Sequence, residues 1–182
     1  MKDDTLVMLL LFGSVALVGG FFAVKTFKDR QDFYNQLLPY ALQLEKETGI
    51  QTDITLTQAA HETGFGTSGN TDLVLKYHNL FGIKPGSTWT GPVATFTTHE
   101  TINGKYLAVQ DQFRSYPDFL SSMRDWAQLL IRLYPDAYRA AQAGDINAFA
   151  YGLQHGKAGA YATDPKYSVA LFDVYSVVEG LA

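Results

Sequence analysis

Thr57-Gln58-Ala59-Ala60-His61-Glu62-Thr63-Gly64-Phe65-Gly66-Thr67-Ser68 reads as the closing turns of a helix, with one carboxylate, Glu62, set where the helix stops. Ile54, Leu56, Ala59 and Ala60 are apolar or small and are expected to face a core. Gly64 and Gly66 supply the left-handed or close-approach backbone that ends a helix. A carboxylate there lies at the negative end of the helix dipole and is shielded from water on one side. Both influences raise its pKa, which is what a general acid working near neutral pH requires. An ordinary exposed carboxylate at a helix end is the competing reading of the same residue.

The remaining 170 positions bound the possibilities. A chain of 182 residues is long enough for one domain with a real core and little else. Aromatic residues reach 14%, which suits either a Tyr/Phe-packed core or a groove lined with flat faces for sugar rings. The formal charge is −4 with no basic stripe, so nucleic acid is not an expected partner. The chain has no cysteine, which removes a disulfide framework, a thiol nucleophile and a cysteine-based metal site.

Residues 5–24 form an uncharged run of 20, flanked by Lys2, Asp3 and Asp4 before it and by Lys25, Lys28, Asp29 and Arg30 after it. About 20 residues are needed to cross a bilayer core of roughly 30 Å. A cleaved signal peptide has a shorter apolar run, a more positive leading end and a small-x-small site. Val18-Gly19-Gly20 is a poor match to that site. The expectation is an uncleaved transmembrane helix in residues 1–30, with a short linker, followed by one domain over residues 31–182. The Lys/Arg bias on the C-terminal side points that side to the cytoplasm in an ordinary inner membrane.

Within the domain, Asp32 is expected to cap a helix running to about Thr48, kinked or interrupted by Pro39 and ended by Gly49. A second helix is expected to begin after Asp53 or Thr55, and a short one over 72–77. Residues 93–100 and 105–113 are rich in β-branched and aromatic residues and are joined through Asn103-Gly104, a strong hairpin signal. A long helix is expected from Ser115 or Tyr116 with Pro117 in its first turn. Its buried stripe is Phe119, Met123, Trp126, Ala127 and Leu130. Asp145 caps a further helix that stops at Gly156, and Asp164-Pro165 starts the last one. The pattern is a mostly helical domain carrying one hairpin.

Few chemistries fit. His61-Glu62 is the start of H-E-x-x-H, but Phe65 stands where the second histidine is needed. His78, His99 and His155 show no ligand spacing, so no metal is expected. No G-x-S-x-G elbow is present. Paired carboxylates remain, and they suit glycoside hydrolysis, where an acid protonates the leaving oxygen and a second group activates water or stabilises the cation. Glu100, at the end of the first hairpin strand, is the natural second candidate. Its competing reading is a solvated strand-end carboxylate. Asp111 and Glu45 are weaker competitors, and Asp164 is expected to act as an N-cap.

Four stretches, in order, resemble the peptidoglycan hydrolases of the glucosaminidase family, glycoside hydrolase family 73. They are Leu56 to Ser68, Asn79-Leu80-Phe81-Gly82-Ile83-Lys84, Phe96-Thr97-Thr98-His99-Glu100 leading to Phe113-Arg114-Ser115-Tyr116, and Tyr161-Ala162-Thr163-Asp164-Pro165-Lys166-Tyr167. The resemblance covers roughly residues 32–180. It implies a lysozyme-like α+β fold in which a helical lobe and a small β-hairpin lobe flank a glycan groove. It assigns Glu62 as general acid, sets Glu100 at the β-lobe glutamate and Tyr161 at the groove tyrosine, and has Asn79 and Phe81 lining the groove. The family usually carries Ser-Gly-Trp-Gly after the acid, where this chain has Thr63-Gly64-Phe65-Gly66. His61 replaces a residue that is usually apolar. Phe65, Tyr77 and Trp89 are candidate stacking faces for sugars, and each is equally readable as packing.

The expected activity is hydrolysis of the β-1,4 glycosidic bonds of peptidoglycan as an N-acetylglucosaminidase, with no metal or organic cofactor. Muramidase or lytic transglycosylase action on the same glycan is the near alternative. A membrane-tethered glycan-binding module without activity is the distant one. The expected partners are glycan strands and, through residues 5–24, a lipid bilayer. A single-pass hydrolase of this size fits a bacterial envelope. It also fits a virion-associated lysin of a membrane-containing phage, where the loop-charge bias matters less.

Overall fold

The structure, a computed structural model, describes residues 27–67, 71–102, 105–157, 159–162 and 164–182, and for residues 98–102 and 105–108 the backbone alone. The apolar run 5–24 and the Asn103-Gly104 turn lie outside the described residues. Seven helices and two strands are described: α1 (Arg30–Thr48), α2 (Thr52–Thr63), α3 (Thr71–Leu75), β1 (Val93–Ile102), β2 (Lys105–Arg114), α4 (Phe119–Leu133), α5 (Pro135–Ala143), α6 (Ile146–Gln154) and α7 (Tyr167–Glu179). α1 packs on α2 and α4, α2 on α7, and α5 on α6. The strands form one antiparallel hairpin whose register runs from Val93 opposite Arg114 to Ile102 opposite Lys105. The architecture is mostly helical with a small two-stranded sheet. Among the described residues no helix is long and apolar enough to cross a membrane.

Local chemistry accounts for the element ends. Asp29, rather than Asp32, caps α1, its carboxylate accepting from Asp32 N at 2.8 Å. Asp32 in turn accepts from Lys28 N at 3.0 Å, and that amide, with the Gln36 side chain, draws its carboxyl pKa below the usual range. α1 runs through Pro39 without a break. Pro39 and Asn35, whose carbonyl loses its usual donor, are both exposed, so water can satisfy that carbonyl. Gly49 then ends α1 in the left-handed region at φ 77°.

α2 begins earlier than expected, at Thr52. Its cap residue Gln51 makes no side-chain capping bond. Glu45 of α1 does that work instead, accepting from Thr52 N at 3.1 Å and from the Thr52 hydroxyl. Glu45, a weaker candidate acid in the sequence, is thus spent on holding two helices together.

α4 starts at Phe119 behind an Asp118 cap, not at Ser115 or Tyr116. The amides of those two residues donate instead to Pro92 O and Tyr77 O, each at 2.9 Å, which holds Pro117 outside the helix. Within the expected stripe Met123, Trp126, Ala127 and Leu130 are buried, while Phe119 is only partly so. Asp164 does not cap α7: it accepts from Lys166 N at 2.8 Å in a turn, and the helix begins at Tyr167. α5 was not expected at all. Pro135 in its first turn, the buried alanines 137, 140 and 141, and Gly144 at φ 70° define it.

The root of the hairpin is locked into the helical body. Arg114 is buried, donates through Nη1 to both oxygens of Asp125 at 2.9 and 2.8 Å, and donates through Nε to Lys84 O at 3.2 Å. Tyr116 donates its hydroxyl to the same Asp125 at 2.6 Å. Ahead of α1, Phe27 is buried against Phe33, centroids 4.9 Å apart. Its ring occupies the space a side chain on Gly66 would need, since a Cβ there would fall 2.1 Å from Phe27 Cδ2.

Candidate active site

α2 builds the site. Ile54, Leu56, Ala59 and Ala60 are all buried, as their pattern predicts, so the helix is held on its apolar face. The helix closes at Gly64 (φ 55°), followed by Phe65 (φ 57°) and Gly66 (φ 73°), three consecutive left-handed residues. The glycines adopt this without cost. Phe65 does so only because its ring is packed edge-on to Phe33 at 5.6 Å, beneath the Arg30 guanidinium at 5.0 Å.

Glu62 emerges at this end of α2. It is half-buried, with protein around it at longer range, and burial pushes its carboxyl pKa up from 4.5 to about 8. One contact opposes that shift: Gln58, one turn earlier, donates from Nε2 to Glu62 Oε1 at 2.8 Å. The same Nε2 lies 2.8 Å from the Tyr167 hydroxyl oxygen. Gln58 and Tyr167 are both buried. Tyr161 completes the cluster, its ring 5.4 Å from Tyr134 and 6.0 Å from Tyr167. Its hydroxyl is fully buried and has no hydrogen-bond partner among the described residues. Burial first, and then the nearby Glu62 charge, raise the pKa of both Tyr161 and Tyr167 well above the ordinary tyrosine value. The cluster is therefore a carboxyl that stays protonated at neutral pH, surrounded by uncharged hydroxyl and amide groups. Such a group can donate a proton to an oxygen leaving group and take it back.

The other candidates divide. Glu100 stands on β1 opposite Leu107 in the hairpin register. Tyr77 is partly buried with its ring edge-on to Phe96 at 5.6 Å. Trp89 is partly buried under the Arg114 guanidinium at 4.6 Å, with Nε1 donating to Pro92 O at 3.1 Å.

Asn79 and Phe81 do not line a groove, because both are fully buried. Asn79 is a loop bracket: Nδ2 donates to Ile83 O and Arg114 O, and Oδ1 accepts from Phe81 N and Ile83 N. Phe81 stacks on Trp126 at 4.8 Å and 11°. Phe65 is buried, with its ring packed between Phe33 and the Arg30 guanidinium. Asp111 is paired with Lys84 at 2.9 Å. An open cavity of about 740 Å³ lies beside α2, lined by Arg30, His61, Phe65, Ala170 and Val174 among others, but not by Glu62. Gln58 and Tyr167 were present in the quoted stretches without a role. The i, i+4 spacing of Gln58 and Glu62 was the readable signal, whereas Tyr167 arrives from 109 residues away.

The model of the glucosaminidase family, described as mannosyl-glycoprotein endo-beta-N-acetylglucosaminidase, matches residues 38–179. The chain belongs to that family. It is 31% identical over 155 residues to the peptidoglycan hydrolase FlgJ of Vibrio parahaemolyticus, covering 85% of this chain and 49% of that one. It is 33% identical over 144 residues to the exo-glucosaminidase LytG of Bacillus subtilis, covering 77% and 48%. The chain thus spans about half the length of the curated relatives it matches.

Among solved structures, the truncated glycoside hydrolase domain of Salmonella typhimurium FlgJ matches with TM-score 0.67 and 32% identity, over 85% of this chain and 100% of that one. A mutant peptidoglycan hydrolase from Sphingomonas sp. A1 matches with TM-score 0.66 and 35% identity, over 83% and 97%. These likenesses are consistent with the lysozyme-like α+β fold expected from the sequence.

Proposed function

We propose that this chain hydrolyses β-1,4 glycosidic bonds of peptidoglycan as an N-acetylglucosaminidase, with Glu62 as general acid. The observation that carries this reading is the carboxyl of Glu62, whose pKa burial raises to about 8, at the end of a helix that lies within the family match. Glu62 gives its proton to the glycosidic oxygen as the bond to the anomeric carbon breaks. Glu100 is proposed to activate water or to stabilise the cationic transition state. A substrate 2-acetamido group can take the nucleophile's place in such a reaction. Tyr161, buried beside Tyr167 and sensitive to the Glu62 charge, is proposed to act on the sugar through the wall of the acid site that it forms. Trp89 and Tyr77 flank the hairpin root as candidate stacking faces.

We further propose that residues 5–24 tether the domain to a bilayer, with the catalytic domain of residues 31–182 facing peptidoglycan, in a bacterial envelope or a virion membrane. Their uncharged length is the support.

The deciding experiment treats purified peptidoglycan with the full chain, wild type and Glu62→Gln, and identifies borohydride-reduced products by mass spectrometry. Reduced N-acetylglucosamine ends from the wild type, lowered about a hundredfold or more in the variant, are expected. Reduced muramic ends would make it a muramidase, and anhydro-muramic ends a transglycosylase. No products from folded wild type would leave a glycan-binding module.

A further inference from the structure

We infer that Gln58 is a positioning residue that reserves Glu62 Oε2 for the transferable proton, and that Tyr167 holds Gln58 in that role from across the α2–α7 packing. The inference rests on Glu62 being the acid of the proposed reaction.

The geometry is specific. The Gln58 amide has two protons. One is directed to Glu62 Oε1 at 2.8 Å and the other to the Tyr167 hydroxyl oxygen at 2.8 Å. Tyr167 can answer by donating to Gln58 Oε1 at 3.2 Å. Gln58 is fully enclosed, so no water competes for the amide. A carboxyl oxygen already accepting an N–H is the poorer place for its own proton, which therefore resides on Oε2.

The opposite amide orientation would set a carbonyl against Oε1 and draw the proton onto that oxygen, away from any substrate. The Tyr167 hydroxyl oxygen lies nearer Nε2, at 2.8 Å, than Oε1, at 3.2 Å, and so favours the orientation that turns an N–H to Glu62. The Tyr167 ring is fixed edge-on by His61 at 4.9 Å and 90°, and it lies against Tyr161 at 6.0 Å. During the reaction the Oε2–H bond breaks and the proton passes to the glycosidic oxygen, which keeps the electron pair of the broken C–O bond. Water then supplies a hydroxyl to the anomeric carbon, and its remaining proton restores Glu62. The Gln58 N–H is most valuable in between, when Glu62 is charged.

The side chains tied to Glu62 by contact or charge are Gln58 on α2, Tyr167 at the start of α7 and Tyr161 before it. None is charged near neutral pH. His61 lies behind Tyr167, with Asp164 acting on it. The direction of the test is thereby fixed. Gln58 favours the carboxylate, so removing its N–H must raise the Glu62 midpoint.

The test uses the full chain with 13C-labelled glutamate carboxyls. Glu62 is assigned by its absence in Glu62→Gln and titrated by NMR without substrate. In Gln58→Leu the midpoint is expected to move upward, the alkaline limb of the rate profile to move with it, and kcat to fall about tenfold or more with KM little changed. Tyr167→Phe, which removes only a hydroxyl, is expected to move both in the same direction by less, and carries the test alone if Gln58→Leu does not fold. An unmoved or lowered midpoint overturns the inference. Retained activity in Glu62→Gln overturns instead the assignment of the acid, whatever the titration shows.

Discussion

At the scale of single residues, the feature that suits Glu62 to chemistry also works against folding. Its pKa is about 8 in the folded protein and 4.5 in the unfolded chain. Between those values the folded state holds the proton more tightly, so the contribution of this group to stability is full below about pH 4.5 and is lost as pH rises towards 8. Each unit of displacement corresponds to about 1.4 kcal/mol, and the partial exposure of Glu62 leaves some solvent screening. The loss by pH 8 is therefore on the order of a few kcal/mol. Glu62→Gln removes the titration while keeping the shape. Its thermal midpoint is expected to exceed that of the wild type at pH 8, with the difference shrinking towards pH 5. A difference independent of pH would show that the carboxyl is not held neutral in the fold.

At the scale of elements, what was legible in the sequence was local. The end of α2 could be read because two glycines and an apolar face lie within a dozen residues, and the hairpin because its strands are neighbours in the chain. What escaped was settled at a distance. Glu45 caps a helix other than its own. Ser115 and Tyr116 are kept out of α4 by carbonyls from two earlier loops. Asn79 and Phe81 were expected at a groove because their stretch carries a family pattern, but that pattern serves to fold a loop onto Trp126 and Arg114.

The clamp between β2 and α4 is of the same long-range kind. Asp125 receives both a buried guanidinium and a tyrosine hydroxyl. Asp125→Ala would leave Arg114 buried without its anion, so a loss of about 3 kcal/mol or more is expected in urea unfolding. A loss under about 1 kcal/mol would mean that Arg114 finds water or another acceptor. Burial also drives the Tyr116 hydroxyl far above the ordinary tyrosine range, so it remains a donor to Asp125 at any pH the protein meets.

At the scale of the whole molecule, the proposed tether is the part of the reading that a binding measurement can decide on its own. If residues 5–24 span a bilayer, the full chain should float with lipid vesicles in a density gradient and resist high-salt extraction. A variant carrying both Leu10→Lys and Val15→Lys should remain with the soluble fraction, since each central charge costs about 3 kcal/mol on insertion scales. Wild-type protein that stays unbound would remove the tether.

One consequence follows for a tethered enzyme. Phe27 is wedged under Gly66, in the turn that directly follows the acid-bearing helix. Any tension applied to the chain ahead of residue 27 arrives first at that wedge, four residues beyond Glu62 in the chain. If residues 5–24 are a leash and Glu62 is the proton donor, the two share a mechanical joint. A domain pulled taut between a membrane and the wall would feel the strain at its working end before its core began to yield.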